Sequence, residues 1–355
     1  MHILHIVTPS PSLTSPEILG LLRLVQKQIG GSHQTIVLGN DDEGKLLRNR
    51  GINVLGTVGG VRDASNTLIK RVNRLIESDV TQRTTFYMAW GWHSARIVSG
   101  LGNELNTIAF VDEIENDFYT NTKTLFIPTS WVGAKYLRSL GVSASSVCEP
   151  LIGLDPTPVV ANKSDVRKEL QLESTENVVS IVGKNASWKE ILEMAYRIHM
   201  LDTKIVFVLP INYSYRGQLM LAAKERGLTN MFRNTPSSLR MADVNVCSSC
   251  AWAPNTALFD KSLGVLELLK AAWDGLPLAV QTAHPIYGLP SLGTTIACAK
   301  DVLDISKCIL DIVLGEIDRS EEYAELTSNV RAIASPARFI EGLRQRISFT
   351  PSLCG

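Results

Sequence analysis

Short apolar segments alternate with longer amphipathic segments along almost the whole chain, and this alternation restricts the fold more than any other feature of the sequence. It is typical of βαβ units, in which helices join parallel strands that are buried on both faces. The pattern lapses once, in a stretch rich in proline and glycine at 148–165, where we predict a domain boundary. The predicted strands lie at 3–8, 35–39, 52–55, 85–89, 107–111 and 124–128 before this stretch, and at 178–182, 204–209, 243–247, 277–281 and 294–298 after it.

The length of the chain also favours two domains, because 355 residues exceed what one ordinary hydrophobic core holds. We therefore predict an α/β protein with two Rossmann-like, doubly wound domains, at residues 1–160 and 161–335. A C-terminal helical segment, 336–355, is expected to pack back toward the N-terminal domain. Within the first domain, one helix is expected to start at Ser130 as its cap and to end at Gly141.

Charge and composition argue against several functional classes. Lys plus Arg number 35 and Asp plus Glu number 35, so the chain lacks the overall positive charge that favours nucleic-acid binding. The first residues, MHILHIVTPSPS, lack the basic start and the long apolar run of an export signal. No segment approaches the roughly 18 apolar residues that a membrane span needs. We therefore expect a cytoplasmic protein whose six cysteines are reduced.

Two further patterns are given less weight. Cys247 and Cys250 form a lone CxxC, whereas a zinc site needs four ligands, so we expect neither a metal nor a redox site there. The amphipathic segment 64–78 carries Lys70 and Arg74 on its polar side. Such a helix allows weak peripheral contact with an anionic membrane, although an ordinary surface helix covering a sheet explains the pattern more simply.

The segment IVGKNASWKEILEMA, at 181–195, has the features of a phosphate-binding loop. Gly183 follows an apolar strand and permits a tight turn, and Lys184 and Lys189 then flank the start of a helix. The free N–H groups and the dipole of a helix N-terminus favour an anion, so the segment is a candidate diphosphate site. The alternative is two solvated lysines on a surface loop. The sequence contains no GxxxxGK[ST] motif, and no GxGxxG follows the first strand.

A second candidate loop precedes the helix that begins near residue 263. About fifteen residues separate it from the strand predicted at 243–247, and connections of that length tend to be functional. Gly264 would let backbone amides approach a phosphate at the helix start. Glu267 and Lys270 lie three residues apart and so share one helical face. The simpler interpretation of that pair is a surface ion pair.

The second half of the chain resembles the donor-binding domain of the group 1 (family 4-like) GT-B glycosyltransferases, as a divergent member. Gly183-Lys184 with Lys189-Glu190 is similar to that family's Gly-Arg…Lys-Gly loop, and LELLKAAWDGLPLAVQT (266–282) is similar to its LLEAMACGLPVVAT segment. MADVNVCSS (241–249), PTSWVGAKYLRSLGV (128–142) and SPARFIEGLRQRI (335–347) resemble further family segments. The resemblance implies two domains facing a cleft, with Lys184 and Lys189 on the diphosphate of the donor.

This chain departs from the family at several positions. The family has two glutamates around the donor, which fall here on Ser262 and Lys270. Lys270 is therefore a donor-site candidate by its position, and Glu267 is the candidate substitute for the missing carboxylate. The family's N-terminal Gly-Gly loop is absent. Its first-domain histidine has no counterpart after the strand at 107–111, where Asp112 and Glu113 stand instead. These departures leave open a protein that binds a nucleotide sugar without turning it over.

His93 is the third acceptor-side candidate. It lies in MAWGWHSARI, between a predicted strand and helix, and this setting resembles the DWH-x-A segment of some family members. Aromatic rings beside a histidine could stack on a sugar, so Trp90 and Trp92 are of interest. The alternative is that both tryptophans pack in the interdomain cleft and that His93 only caps the helix.

The resemblance thus implies an enzyme that transfers a sugar from a nucleotide-diphosphate donor to a glycan, lipid or small-molecule acceptor. Lys184, Lys189 and the helix start near Gly264 would stabilise the leaving diphosphate. Asp112, Glu113 or His93 would orient the acceptor hydroxyl. The family retains anomeric configuration without a metal, so no cofactor is expected beyond the nucleotide-sugar substrate. The alternatives are a nucleotide-sugar epimerase on the same fold and a non-catalytic binding protein.

Overall fold

The structure is a computed structural model of the chain, and it divides into two compact units. Unit 1 comprises Met1–Pro156 together with Ala334–Gly355, and unit 2 comprises Thr157–Ile333. The structure describes residues 1–8, 16–59, 66–78, 86–101, 106–111, 124–154, 161–183, 186–201, 203–211, 213–254, 265–281, 297–299, 302–315 and 320–349.

Unit 1 contains a parallel six-stranded sheet in the order β3-β2-β1-β4-β5-β6. The first strand, HILHIV, is buried at all six positions, as expected for a central strand with helices on both faces. The elements are β1 (His2–Val7), α1 (Pro16–Gln28), β2 (Ser32–Val37), α2 (Asp41–Asn49), β3 (Val54–Thr57), α3 (Asn66–Ser78), β4 (Phe86–Trp90), α4 (Trp92–Leu101), β5 (Thr107–Val111), β6 (Thr124–Pro128) and α5 (Trp131–Ser139).

Local signals at the ends of helices act as the sequence predicts. The Ser130 side chain accepts a hydrogen bond from the Gly133 N–H at 3.1 Å and so caps α5. Gly141 has φ of +86°, a backbone conformation that glycine adopts without strain. Both expectations for this helix are confirmed. Asn40 caps α2 in the same manner, and Glu43 completes a reciprocal capping box.

The last helix of the chain, α13 (Pro336–Phe349), belongs to unit 1. The ring of Phe339 is buried 5.7 Å from the ring of Phe110 at the end of β5. Arg344 donates from Nη2 to the Gln28 carbonyl at 2.8 Å. Gly153 lies where a Cβ atom would collide with Phe339, so this position needs glycine for the close approach of the helix.

Unit 2 contains a second parallel six-stranded sheet, in the order β12-β11-β10-β7-β8-β9. Apolar residues of β7, β8 and β10 pack against helices α7, α8 and α11. The elements are α6 (Lys163–Glu169), β7 (Asn177–Ile181), α7 (Trp188–His199), β8 (Ile205–Leu209), α8 (Arg216–Glu225), β9 (Phe232–Asn234), α9 (Met241–Asn245), β10 (Cys250–Ala253), α10 (Val265–Trp273), β11 (Leu278–Gln281), β12 (Ala297–Ala299), α11 (Val302–Leu314) and α12 (Ser320–Ile333).

The strand predicted at 243–247 is wrong, because Met241–Asn245 form the short helix α9 and the strand is β10. Asp243 explains the difference, since its carboxylate accepts hydrogen bonds from both the backbone N–H and the guanidinium of Arg240 and so closes a helical turn. Burial alone would raise the pKa of Asp243, but the Arg240 hydrogen bonds outweigh it and lower the pKa. The central strand instead uses the fully buried CAWA segment.

Across the described part of the chain, no helix is both long enough and apolar enough to cross a bilayer.

Candidate functional site

The sheet of unit 2 reverses its strand order between β7 and β10. From β7 the chain proceeds to β8 and β9 on one side, whereas β10 leads to β11 and β12 on the other. The two strands are parallel neighbours, and the Val182 N–H continues their pairing by donating to the Trp252 carbonyl at 2.9 Å. In open α/β sheets, the carboxyl edge at such a reversal forms a crevice that binds ligands. The first loop chosen from the sequence leaves from β7. The second is shorter than the roughly fifteen residues predicted, because β10 occupies part of it and only 254–264 separate that strand from α10.

The β7–α7 connection turns sharply at Gly183, where φ is +96°. The Ala186 N–H donates to the Gly183 carbonyl at 3.2 Å, and the Ser187 side chain accepts from the Glu190 N–H at 3.4 Å as the cap of α7. Lys189 is exposed in the first turn of α7, with its Nζ 5.8 Å from the centre of the Trp188 ring. The loop thus brings a cation and a helix N-terminus together. Lys184 lies outside the described residues.

The helix α10 follows β10 and supplies the other side of the reversal. Glu267 is its third residue and is half-buried in the first turn. Lys270 lies one turn further on, nearly fully buried, and its Nζ is 2.8 Å from the Asp274 carboxylate. The ammonium group of Lys270 therefore has a partner within its own helix. Gly264, predicted at the helix start, lies outside the described residues.

Two polar side chains that follow β8 bind backbone carbonyl groups of the protein. Tyr213 and Arg216 follow β8 at the carboxyl edge of the sheet, a place from which polar side chains can reach a bound nucleotide. The Tyr213 ring is buried, and its hydroxyl donates to the Ala186 carbonyl at 2.9 Å. Arg216 donates to the Ile211 carbonyl at 2.8 Å. Both side chains thus bind protein backbone around the candidate loop.

The sheet of unit 1 reverses its strand order between β1 and β4. Thr8, just after β1, and Ser94, in the first turn of α4, join the two connections through a hydrogen bond of 2.6 Å between their buried hydroxyl groups. His93 is the second residue of α4 and is half-buried, two positions after Gly91, where φ is +96°. The fold therefore brings His93 to the corresponding edge of this unit. Asp112 and Glu113 follow the neighbouring strand β5 and lie outside the described residues.

The two tryptophans around His93 are packed inside unit 1. Trp90 and Trp92 are 2% and 3% exposed. The Trp90 ring stacks on Phe110 at 4.5 Å, and the Trp92 ring lies 6.0 Å from Phe126. Neither ring is therefore open for stacking on a sugar.

A buried chain of hydrogen bonds that the sequence did not reveal joins β4, β1 and β2. The Trp90 indole N–H donates to His5 Nδ1 at 3.1 Å, His5 Nε2 lies 3.0 Å from His33 Nδ1, and His33 Nε2 lies 2.8 Å from the Ile29 carbonyl. Because an indole only donates and a carbonyl only accepts, each imidazole is neutral with its proton on Nε2. Burial lowers the pKa of His5 well below its usual value, and the positive charge that His33 and His2 carry when protonated would lower it further.

The cysteine pair in unit 2 has the chemistry of core residues. Cys247 and Cys250 are free and buried. Burial raises the pKa of both thiols, that of Cys250 to about 12, so neither is a ready thiolate. Within the ranges that the structure describes, no cluster of His, Cys, Asp or Glu is suited to hold a metal ion.

No protein-family model matches this sequence, and no curated protein matches it either. Solved structures do resemble it. HepE from Anabaena, in complex with UDP-glucose, is 12% identical with a TM-score of 0.74 over 98% of this chain and 99% of that chain. A glycosyltransferase from Rickettsia africae is 10% identical with a TM-score of 0.70 over 97% of each chain. Sucrose-phosphate synthase from Thermosynechococcus elongatus is 11% identical with a TM-score of 0.70 over 99% and 100%.

At these identities the similarity concerns the fold rather than the reaction. It extends over nearly the full length of each chain, so it includes both parallel sheets and not a single Rossmann-like half. The chain has the GT-B fold that its sequence predicts.

Proposed function

We propose that this protein is a glycosyltransferase that takes its sugar from a nucleotide-diphosphate donor. The observation that carries the proposal is the strand-order reversal of unit 2, where β7 and β10 are parallel neighbours and each begins one of the two candidate connections. Gly183 and the exposed Lys189 flank the first of these connections. The UDP-glucose bound to HepE, a protein of the same fold, supports a nucleotide sugar as the ligand.

The proposed mechanism is electrostatic. Transfer breaks the bond between the sugar and the diphosphate, and negative charge develops on the departing phosphate oxygen. Lys184, Lys189 and the amides at the starts of α7 and α10, with Gly264 at the latter, would stabilise that charge. Glu267, in the first turn of α10, would hold a hydroxyl of the ribose or the sugar. We propose no metal, and transfer with retention of configuration as in the family that the sequence resembles.

His93 is the acceptor-side candidate within the described residues, and Asp112 and Glu113 complete the set outside them. The His93 imidazole, at the start of α4, would orient the attacking hydroxyl of the acceptor. The bonding of Thr8 to Ser94 supports this role, because it holds the first turn of α4 against the end of β1.

Calorimetric titration with UDP, GDP and ADP tests the donor site. We expect one diphosphate to bind the wild-type protein and Lys189→Ala to weaken it about tenfold, which corresponds to about 1.4 kcal/mol. Lys224→Ala is the matched control, since Lys224 is also exposed but lies in the last turn of α8. If none of the three nucleotides binds, the proposal fails and only the fold remains.

Incubation of the nucleotide sugar without an acceptor separates the alternatives. A glycosyltransferase slowly releases nucleoside diphosphate and free sugar, because water replaces the acceptor. An epimerase returns a nucleotide sugar of changed configuration, and a non-catalytic protein returns the donor unchanged. Release of free sugar that depends on Lys189 supports transfer. An epimerised nucleotide sugar or an unchanged donor contradicts it.

A further inference from the structure

Tyr213 joins two neighbouring loops at the carboxyl edge of the unit 2 sheet. It follows β8, where its N–H donates to the Pro210 carbonyl at 3.1 Å and closes a turn. Its ring is only 5% exposed, and its hydroxyl reaches the Ala186 carbonyl at 2.9 Å. A carbonyl only accepts, so the phenol is the donor. The side chain thus crosses from the end of β8 to the connection that follows β7.

The accepting residue occupies the centre of the candidate diphosphate loop. Ala186 is fully buried, and its own N–H donates to the Gly183 carbonyl at 3.2 Å. The next residue, Ser187, caps α7, and Lys189 stands in the first turn of that helix. A shift of the Ala186 peptide would therefore move both the turn at Gly183 and the helix start that presents Lys189.

Tyr213 is itself held in place. Arg216 donates from Nη2 to the Ile211 carbonyl at 2.8 Å and to the Pro210 carbonyl at 3.4 Å, which stabilises the turn that carries Tyr213. The Tyr215 ring lies edge-on to Tyr213 at 6.2 Å. Burial, and secondarily Tyr215, raises the pKa of the Tyr213 phenol, so it keeps its proton as a donor.

We propose that Tyr213 is a positioning residue for nucleotide-diphosphate binding, acting through its hydrogen bond to Ala186 on the loop that presents Gly183 and Lys189. This inference rests on the proposed function, because it assigns that loop to the donor. Tyr213 touches no ligand itself. Its role is to keep the loop in one conformation before the nucleotide arrives, so that binding requires less ordering of the loop.

Tyr213→Phe removes the hydroxyl and keeps the buried ring, so it tests the hydrogen bond alone. We expect amide hydrogen exchange across 183–190 to accelerate in the free protein, while β7 and β8 stay protected. We expect nucleotide affinity to fall about three- to tenfold, the usual range for one hydrogen bond. Tyr196→Phe is the matched control, since Tyr196 is 43% exposed on the same helix α7 and its substitution should change neither quantity.

A double variant separates positioning from general stability. If Tyr213 acts by placing Lys189, the loss in Tyr213→Phe/Lys189→Ala is smaller than the product of the single losses. A fully multiplicative loss, an unchanged exchange rate at 183–190, or a uniform rise in exchange over all of unit 2 would each overturn the inference. Failure of the wild-type protein to bind any nucleotide refutes the donor assignment instead, and the exchange measurement then tests the Tyr213 contact independently.

Discussion

Lys270 occupies the position at which the resembled family has a glutamate, and the structure assigns its ammonium to Asp274. The Lys270 side chain is 5% exposed and the Asp274 side chain is 23% exposed, with 2.8 Å between Nζ and Oδ1. The neighbouring residues of α10 are apolar and buried. We therefore predict that Lys270→Met, which keeps the aliphatic stem and removes the charge, destabilises unit 2 without abolishing nucleotide binding.

The size of the effect follows from the exposure of the two partners. Removing one member of a fully buried ion pair costs about 3–5 kcal/mol, because the other charge remains buried and unpaired. Asp274 keeps nearly a quarter of its exposure and can recover water on its open side, so we expect about 2–3 kcal/mol. For a unit of this size, each kcal/mol lowers Tm by about 2–4 °C, which gives roughly 4–12 °C.

Thermal and urea unfolding of four proteins measure this effect. Besides wild type and Lys270→Met, they are Asp274→Asn and the double variant, in which no charge is left unpaired. The double variant should recover at least half of the loss, because the cost comes from the unpaired carboxylate. The reasoning is refuted if Lys270→Met changes Tm by less than about 2 °C while nucleotide affinity falls more than tenfold, since the ammonium would then serve the ligand.

Two further predictions concern unit 1. Because burial lowers the folded-state pKa of His5 and His33 from 6.5, the unfolded chain takes up protons first as the pH falls below 6.5. The free energy of unfolding should then fall by up to about 1.4 kcal/mol per pH unit for each histidine between pH 6.5 and 5. The free energy of unfolding of His33→Gln, measured by urea unfolding at each pH, should depend less steeply on pH than that of wild type. An equal pH dependence would contradict the role assigned to His33. Gly31 has φ of +121°, and a Cβ there would meet the Met1 carbonyl oxygen. Gly31→Ala should therefore cost about 2 kcal/mol or more, whereas Gly30→Ala, which meets nothing within 4 Å, should stay within about 0.5 kcal/mol; equal losses would refute the strain argument.

The alternation of apolar and amphipathic segments was sufficient to predict two doubly wound domains, because buried parallel strands leave an unmistakable pattern. The same rule failed at 243–247, where alternating valines form a helical turn around Asp243. A five-residue segment carries too little periodicity to separate a strand from a helix. What decides between them is the bonding of Asp243 to Arg240, which depends on side-chain geometry rather than on pattern.

Sequence reasoning found the β7–α7 loop, but it started the second loop at the wrong strand and did not reveal the contacts that support the first. A glycine and a lysine after a strand are recognisable in the sequence, so Gly183 and Lys189 could be predicted as parts of a diphosphate-binding loop. Nothing in the sequence indicates that the Tyr213 hydroxyl reaches the Ala186 carbonyl. The chain from Trp90 through His5 to His33 crosses three strands that are remote in sequence. Such contacts depend on strand order, which the sequence pattern does not determine.

The replacement of the family glutamate by Lys270 fits a donor site that uses Glu267 instead. A carboxylate at position 270 would stand one turn from the Asp274 carboxylate, and like charges at that spacing repel. Glu267 lies in the first turn of α10, where the helix dipole favours a negative charge. Glu267 also lies on the same helical face as position 270, since the two are three residues apart. The ion pair of Lys270 with Asp274 stabilises the later turns of α10. Glu267, the carboxylate that we propose for a donor hydroxyl, lies nearer to the strand-order reversal.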